Sequence, residues 1–249
     1  MTEGPAPVAR PTDTPTGVAE TGDAAPDIEA RRAQFLATEH WSLLAQRSMS
    51  WNEAFSRTSM FLSVLSAATV ALALAGPAMS FGSAFALFAL IVLSVTLFLG
   101  LATFVRLVQV NHEDLYWVYG MNRLRGAYVR IVPGIERDFI AGWTVDEKGL
   151  ARTFGAIDVT TASPLHALVT TPAVVAVIAS AIAGVIGGLL AVQLGAEMAI
   201  SVAIGIAVFV ATAVGLVSYG IREYGRYVER IGRQHGIELS PPADADDPE

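Results

Sequence analysis

Residues 81–104 read FGSAFALFALIVLSVTLFLGLATF: twenty-four residues without Asp, Glu, Lys, Arg or His. A helix of about 20 such residues spans a hydrocarbon core of about 30 Å. Working outward, the charge-free run extends back to Ser59, and only PAMS at 77–80 interrupts its hydrophobicity. The stretch 59–76 (SMFLSVLSAATVALALAG) supplies a second crossing. Toward the C-terminus the pattern recurs as 173–192 (AVVAVIASAIAGVIGGLLAV) and 198–217 (MAISVAIGIAVFVATAVGLV), separated by QLGAE. Linkers this short join neighbouring antiparallel helices. The sequence therefore predicts an all-α membrane bundle of four transmembrane helices in two tight hairpins.

Composition agrees. Apolar residues make up 53% of the 249 and charged residues 16%, with a mean hydropathy of +0.51. The net charge of -7 belongs to the ends. Residues 1–26 hold Arg10 against four acids, and 234–249 hold five acids and no Lys or Arg, which leaves the body at +1. Both ends are rich in Pro, Ala and polar residues and read as disordered tails, at 1–26 and 240–249. The absence of cysteine excludes disulfides, thiolate metal sites and a cysteine nucleophile.

Basic residues cluster in three regions: Arg10–Arg57, Arg106–Arg152 and Arg222–Arg233. Neither hairpin loop holds one. The positive-inside rule places all three regions in the cytoplasm of a plasma (inner) membrane protein, with both termini inside. The basic residues flank apolar segments and form no separate stripe, so no nucleic acid is expected as a partner.

The polar flanks are patterned too. Ala37, Trp41, Leu44, Ser48, Trp51, Phe55, Thr58 and Leu62 recur at steps of four and three, predicting an amphipathic helix over 27–58. Leu107, Val110, Asp114, Trp117, Met121, Leu124, Tyr128 and Ile131 continue the second span into the cytoplasm, and Val217, Ile221, Tyr224, Val228 and Ile231 continue the fourth over 218–239. An unbroken helix from Phe81 to Ile131 would be about 77 Å long. Such seams suit a bundle burying Trp41, Trp51 and Trp117, an interface between copies, or, for the first helix, a membrane surface. Within the connecting region 105–171, PGIERDF fits a short helix, DEKG a turn, and Ser163–Pro164 and Thr171–Pro172 the approaches to helix starts.

Three candidate sites stand out. Asp114 places a carboxylate in an apolar seam, which requires a cationic or hydrogen-bonding partner such as Arg47, Arg123 or a C-terminal arginine. Ser180, Gly184 and Gly188, with Ala176, share one helix face suited to close packing within the chain or between copies. Arg222, Arg226 and Arg230 share a face just beyond the fourth span, where they anchor the helix or meet anionic lipid headgroups. His112 lacks the spacing of a helical zinc site, and no nucleophile elbow, phosphate loop or dinucleotide fingerprint is present. No cofactor or metal is expected.

The stretch EHWSLLAQRSMSWNEAFSRTSMFLSVLSAATVALAL at 39–74, with NRLRGAYVRIVPGIERDF at 122–139, resembles an uncharacterised family of bacterial multi-pass membrane proteins. That resemblance implies a multi-span helical protein and carries no activity or catalytic residue. More distantly, the chain resembles two-span membrane effector proteins of bacterial defence systems, whose spans follow a cytoplasmic helix; a second hairpin departs from that pattern. The expected function is non-enzymatic: oligomerisation, scaffolding or sensing through the cytoplasmic helices, with a homo-oligomer and the lipid bilayer as partners. The alternative is a channel or transporter for a small or neutral solute, since no span carries an ionisable group that would mark a proton relay or charged substrate.

Overall fold

The computed structural model describes residues 24–154 and 170–235. Among the described residues five α-helices follow in order: α1 (Ala24–Ala78), α2 (Ser83–Ile131), α3 (Glu147–Thr153), α4 (Thr171–Gln193) and α5 (Met198–His235), with one 3-10 turn at Ile135–Asp138. Four of them are long and apolar enough to cross a membrane. The molecule is a helical, multi-pass transmembrane protein built from two helix pairs, α1 with α2 and α4 with α5.

The spans of α1, α2 and α5 run unbroken into polar flanks, whereas α4 is a 23-residue span alone. α1 has 55 residues and α2 has 49, so α2 is about 74 Å long and its lower half forms a stalk beyond the apolar belt. Neither Gly100 nor Gly120 interrupts it. Both glycines are instead points of close approach, since a Cβ at Gly100 would lie 3.0 Å from the Phe61 ring and one at Gly120 would lie 3.0 Å from Leu43.

The hairpin turns are compact for identifiable reasons. Pro77 stands in the last turn of α1, and Ser80 and Phe81 take left-handed φ values of 51° and 50°. The Phe81 N–H bonds back to the Gly76 carbonyl at 3.0 Å, and its ring folds over the space that a Gly76 side chain would fill. In the second hairpin Gly195 supplies φ 85°, and the Ala196 N–H bonds to the Ala191 carbonyl at 3.0 Å, which satisfies the end of α4.

α2 is central. It packs on α1, α4 and α3, with a smaller contact to α5, whereas α1 and α5 share no substantial contact among the described residues. Phe61, Leu93, Phe104, Leu107, Val110, Val175 and Ile182 fill the space between α1, α2 and α4. The four long helices thus form an open row, not a closed square.

The inward face of α1 differs from the expected seam. His40, Leu43, Arg47, Ser50, Ala54, Phe61 and Ala68 turn toward α2, while Trp41 is 72% exposed and Leu44, Phe55 and Leu62 also face outward. The helix is rotated by about one residue, or 100°. The physical reason is visible in the chemistry of that face. Arg47 must reach the carboxylate of α2, and small Ala54 and Ala68 allow close approach, so Trp41 and Phe55 are left outside. On α5, Val217 and Ile221 are likewise exposed, and Leu216 and Tyr227 pack inward.

The connection after α2 is ordered where it is described. The 3-10 turn occupies the PGIERDF segment, and DEKG initiates a helix where a turn was expected, because Asp146 caps α3 by accepting the Gly149 N–H at 3.1 Å. α4 begins at Thr171 with Pro172 in its first turn. The Ser163–Pro164 helix start and most of both tails lie outside the described residues, although α1 already includes residues 24–26.

Candidate functional site

The clearest concentration of polar chemistry lies where α1 and α2 leave the apolar belt together. Asp114 is 5% exposed. Arg47 holds it in a two-point pair, Nε to Oδ1 at 2.5 Å and Nη2 to Oδ2 at 3.0 Å, and the Trp51 indole N–H donates to Oδ1 at 2.9 Å. Arg47 and Trp51 are one helical turn apart, so a single face of α1 presents all three donors. A carboxylate held by a guanidinium fork and an indole is geometrically fixed, which sets the register of α1 on α2.

A second tier lies closer to the membrane. Arg106 reaches Glu53 across the helices and Glu113 along α2, both at 2.7 Å, and Glu53 also accepts from Arg57 at 2.8 Å. Hydrogen bonds from Arg106 and Arg57 hold the Glu53 carboxyl below the ordinary carboxylate range. The reciprocal bonds raise the Arg106 guanidinium above its usual value.

Farther down α2, Asn122 is fully buried and satisfied at each heavy atom. Its Nδ2 donates to the carbonyls of Thr144 and Gly149 at 2.9 and 3.0 Å, and its Oδ1 accepts from Thr153 at 2.7 Å and Arg125 at 2.8 Å. One side chain therefore fastens 142–153 to the stalk, over a cluster of Leu115, Val118, Tyr119, Met121 and Leu150. Asn122 belongs to a polar group on α2 that is visible in the sequence. Its role as a hub is not, because it depends on a short helix folding back.

On the opposite side of α2, His112 is 8% exposed and stacks on Tyr227 of α5, with centroids 5.1 Å apart and planes 17° apart. Burial lowers its pKa, and nearby Glu223 offsets part of that effect. The neighbouring Trp117 has a buried indole nitrogen with no hydrogen-bond partner.

The small-residue face of α4 meets α5 within the chain. A Cβ at Gly184 would lie 2.8 Å from the Gly205 carbonyl oxygen, and one at Gly188 would lie 3.3 Å from the Ser201 carbonyl oxygen. Ser180 is fully buried and donates to the Ala176 carbonyl at 2.7 Å. A groove of about 560 Å³ follows the crossing, lined by Gly184, Gly188 and Gly205 and rimmed by exposed Val185, Val202 and Ile206, so it opens outward. Arg222, Arg226 and Arg230 are all exposed, and Arg226 pairs with Glu223 at 2.6 Å.

Among the described residues no group of three or more His, Cys, Asp or Glu is placed to hold a metal ion. The chain matches no family model, no curated protein and no solved structure.

Proposed function

We propose that this multi-pass protein is a non-enzymatic component of the plasma membrane that oligomerises, and scaffolds or senses, through the helices that project beyond its spans. One observation carries the reading. On the portion of α1 before its charge-free span, Phe35, Trp41 and Met49 are 75%, 72% and 70% exposed. Large apolar side chains exposed on the outer side of a rigid helix mark an interaction surface. The helix that carries them is held in register on α2 by the Asp114 clasp to Arg47 and Trp51. In this reading the basic ends face the cytoplasm and the two hairpin turns face outward, as the distribution of arginines supports. Arg222, Arg226 and Arg230 are placed to meet anionic headgroups of the inner leaflet.

The native mass of the full chain, extracted with its surrounding lipid, tests the reading. A multiple of 26.3 kDa supports it, and a monomeric mass contradicts it. A channel for a small neutral solute is the second reading, favoured by the outward hydroxyls of Ser63, Ser66 and Thr69. Those hydroxyls each donate to the carbonyl one turn back, which spends their donors within α1. Solute flux into vesicles containing the purified protein would favour the channel.

A further inference from the structure

α2 covers one face of α1, and the opposite face carries a periodicity of its own. Starting at Asp27 and alternating steps of four and three up to Ala73, every position is exposed. Steps of four and three give the 3.5-residue period of a left-handed helix pair. Polar at its foot, the row then mixes large and small side chains. Trp41, Phe55 and Leu62 supply bulk, while Ala45, Ser59 and Ser66 are small enough to admit it. Ser66 donates to the Leu62 carbonyl at 2.9 Å, so the small positions inside the bilayer present no orphaned donor to a neighbour.

The row crosses from water into lipid without changing its phase, and that identifies the occupant. Lipid tails would cover Leu62 but cannot reach Trp41. A soluble partner would cover Trp41 but cannot follow the row past Arg57 into the bilayer. A helix inserted at the same depth and in the same direction covers both, and α1 of another molecule of this chain is such a helix. We infer that the outward face of α1 is the contact between two copies, packed parallel and in register about an axis normal to the membrane. The inference rests on the oligomeric reading above and names the surface that carries it. The available area is adequate: from Asp27 to Ala73 the row is about 70 Å long and, at a helix width of about 10–12 Å, offers about 700–800 Å² per copy, near the size of a stable interface. Small residues allow close approach in lipid, where the hydrophobic effect gives no drive, and the exposed aromatics supply it in water.

Because the chain has no cysteine, single cysteines report contact directly. Ala45→Cys, Asn52→Cys, Ser59→Cys and Ser66→Cys lie on the row, and Gln46→Cys, Met60→Cys and Ala67→Cys are exposed but turned away from it. In native membranes, mild oxidation should give several-fold more disulfide dimer from the first set than from the second. The native mass of the unsubstituted chain is measured alongside. An oligomeric mass with cross-linking that peaks at 46, 60 and 67, or does not vary, would overturn this surface while leaving the oligomeric reading in place. A monomeric mass would overturn both. A Trp41→Ala variant changes a side chain that is 72% exposed, so it should keep its helical content and lose dimer; a dimer fraction unchanged from the parent would also contradict the proposal.

Discussion

The two helix pairs solve the same packing problem by opposite means. α1 and α2 are fixed by directional bonds: a carboxylate clasped by Arg47 and Trp51, and a second tier in which Arg106 reaches Glu53. α4 and α5 are fixed by bringing backbones together at Gly184, Gly188 and Gly205. The difference follows the solvent. Inside lipid, apolar side chains gain nothing from leaving their surroundings, so close van der Waals approach holds helices together. Beyond the belt, water competes for every polar group, and an ion pair specifies geometry only when it is shielded and fully bonded. The first pair should therefore fail by loss of a charge partner, and the second by added bulk.

The largest effect is expected at Arg47. Arg47→Leu leaves Asp114 buried without its cation and should lower stability by about 3 kcal/mol. That is the low end for such pairs, since 31% of the arginine side chain is exposed and water can partly replace it. Chemical denaturation in detergent, followed by helical content, measures the loss; a change below about 1 kcal/mol would place Asp114 in solvent. Next comes Asn122→Leu, which takes the amide donor from the Thr144 carbonyl and removes the bonds to Gly149, Thr153 and Arg125, and should cost about 2–3 kcal/mol. Limited proteolysis should then cut within 142–153, while the spans stay protected.

The second pair responds to bulk in graded fashion. Gly184→Ala places a methyl against a backbone oxygen at 2.8 Å and should cost about 1–3 kcal/mol, whereas Gly188→Ala, at 3.3 Å, should cost less than about 1 kcal/mol. Equal thermal shifts for the two would show that this crossing is looser than the structure has it.

Four spans, two hairpins and long continuous helices were legible in the sequence, because a charge-free run of twenty residues has few alternatives. So was the need of Asp114 for a partner, since a carboxylate in an apolar seam must be compensated. The rotation of α1 was not legible. Hydrophobic periodicity finds a stripe, and α1 carries two faces with steps of four and three; what selects the inner one is where Arg47 must reach. Trp41 therefore looked like core and lies outside. Asn122 escaped for a related reason: three of its four partners lie 22 to 31 residues away, on a segment whose folding back depends on the close approach of Gly142 to Gly149.

The smallest expected effect is a pH dependence at the contact of α2 with α5. Burial lowers the pKa of His112 from the ordinary 6.5, so its neutral form belongs to the folded state. Below pH 6.5 the unfolded chain binds the proton first, and stability declines as pH falls toward the folded value, then levels off. His40, buried near Arg125, adds a decline of the same sign. His112→Phe should flatten part of the slope in a melting series between pH 7.5 and 5.5. An identical slope would assign the whole dependence elsewhere.

The central claim is that α1 and α2 form one stalk clasped through a shielded charge, and a double-mutant cycle on unfolding free energy tests it most directly. Arg47→Leu, Asp114→Leu and the double variant are compared with the parent chain. The account predicts that Asp114→Leu relieves most of the loss caused by Arg47→Leu, with a coupling of about 1–3 kcal/mol between the two positions. A coupling indistinguishable from zero would mean that the two side chains act independently and that no clasp holds the stalk.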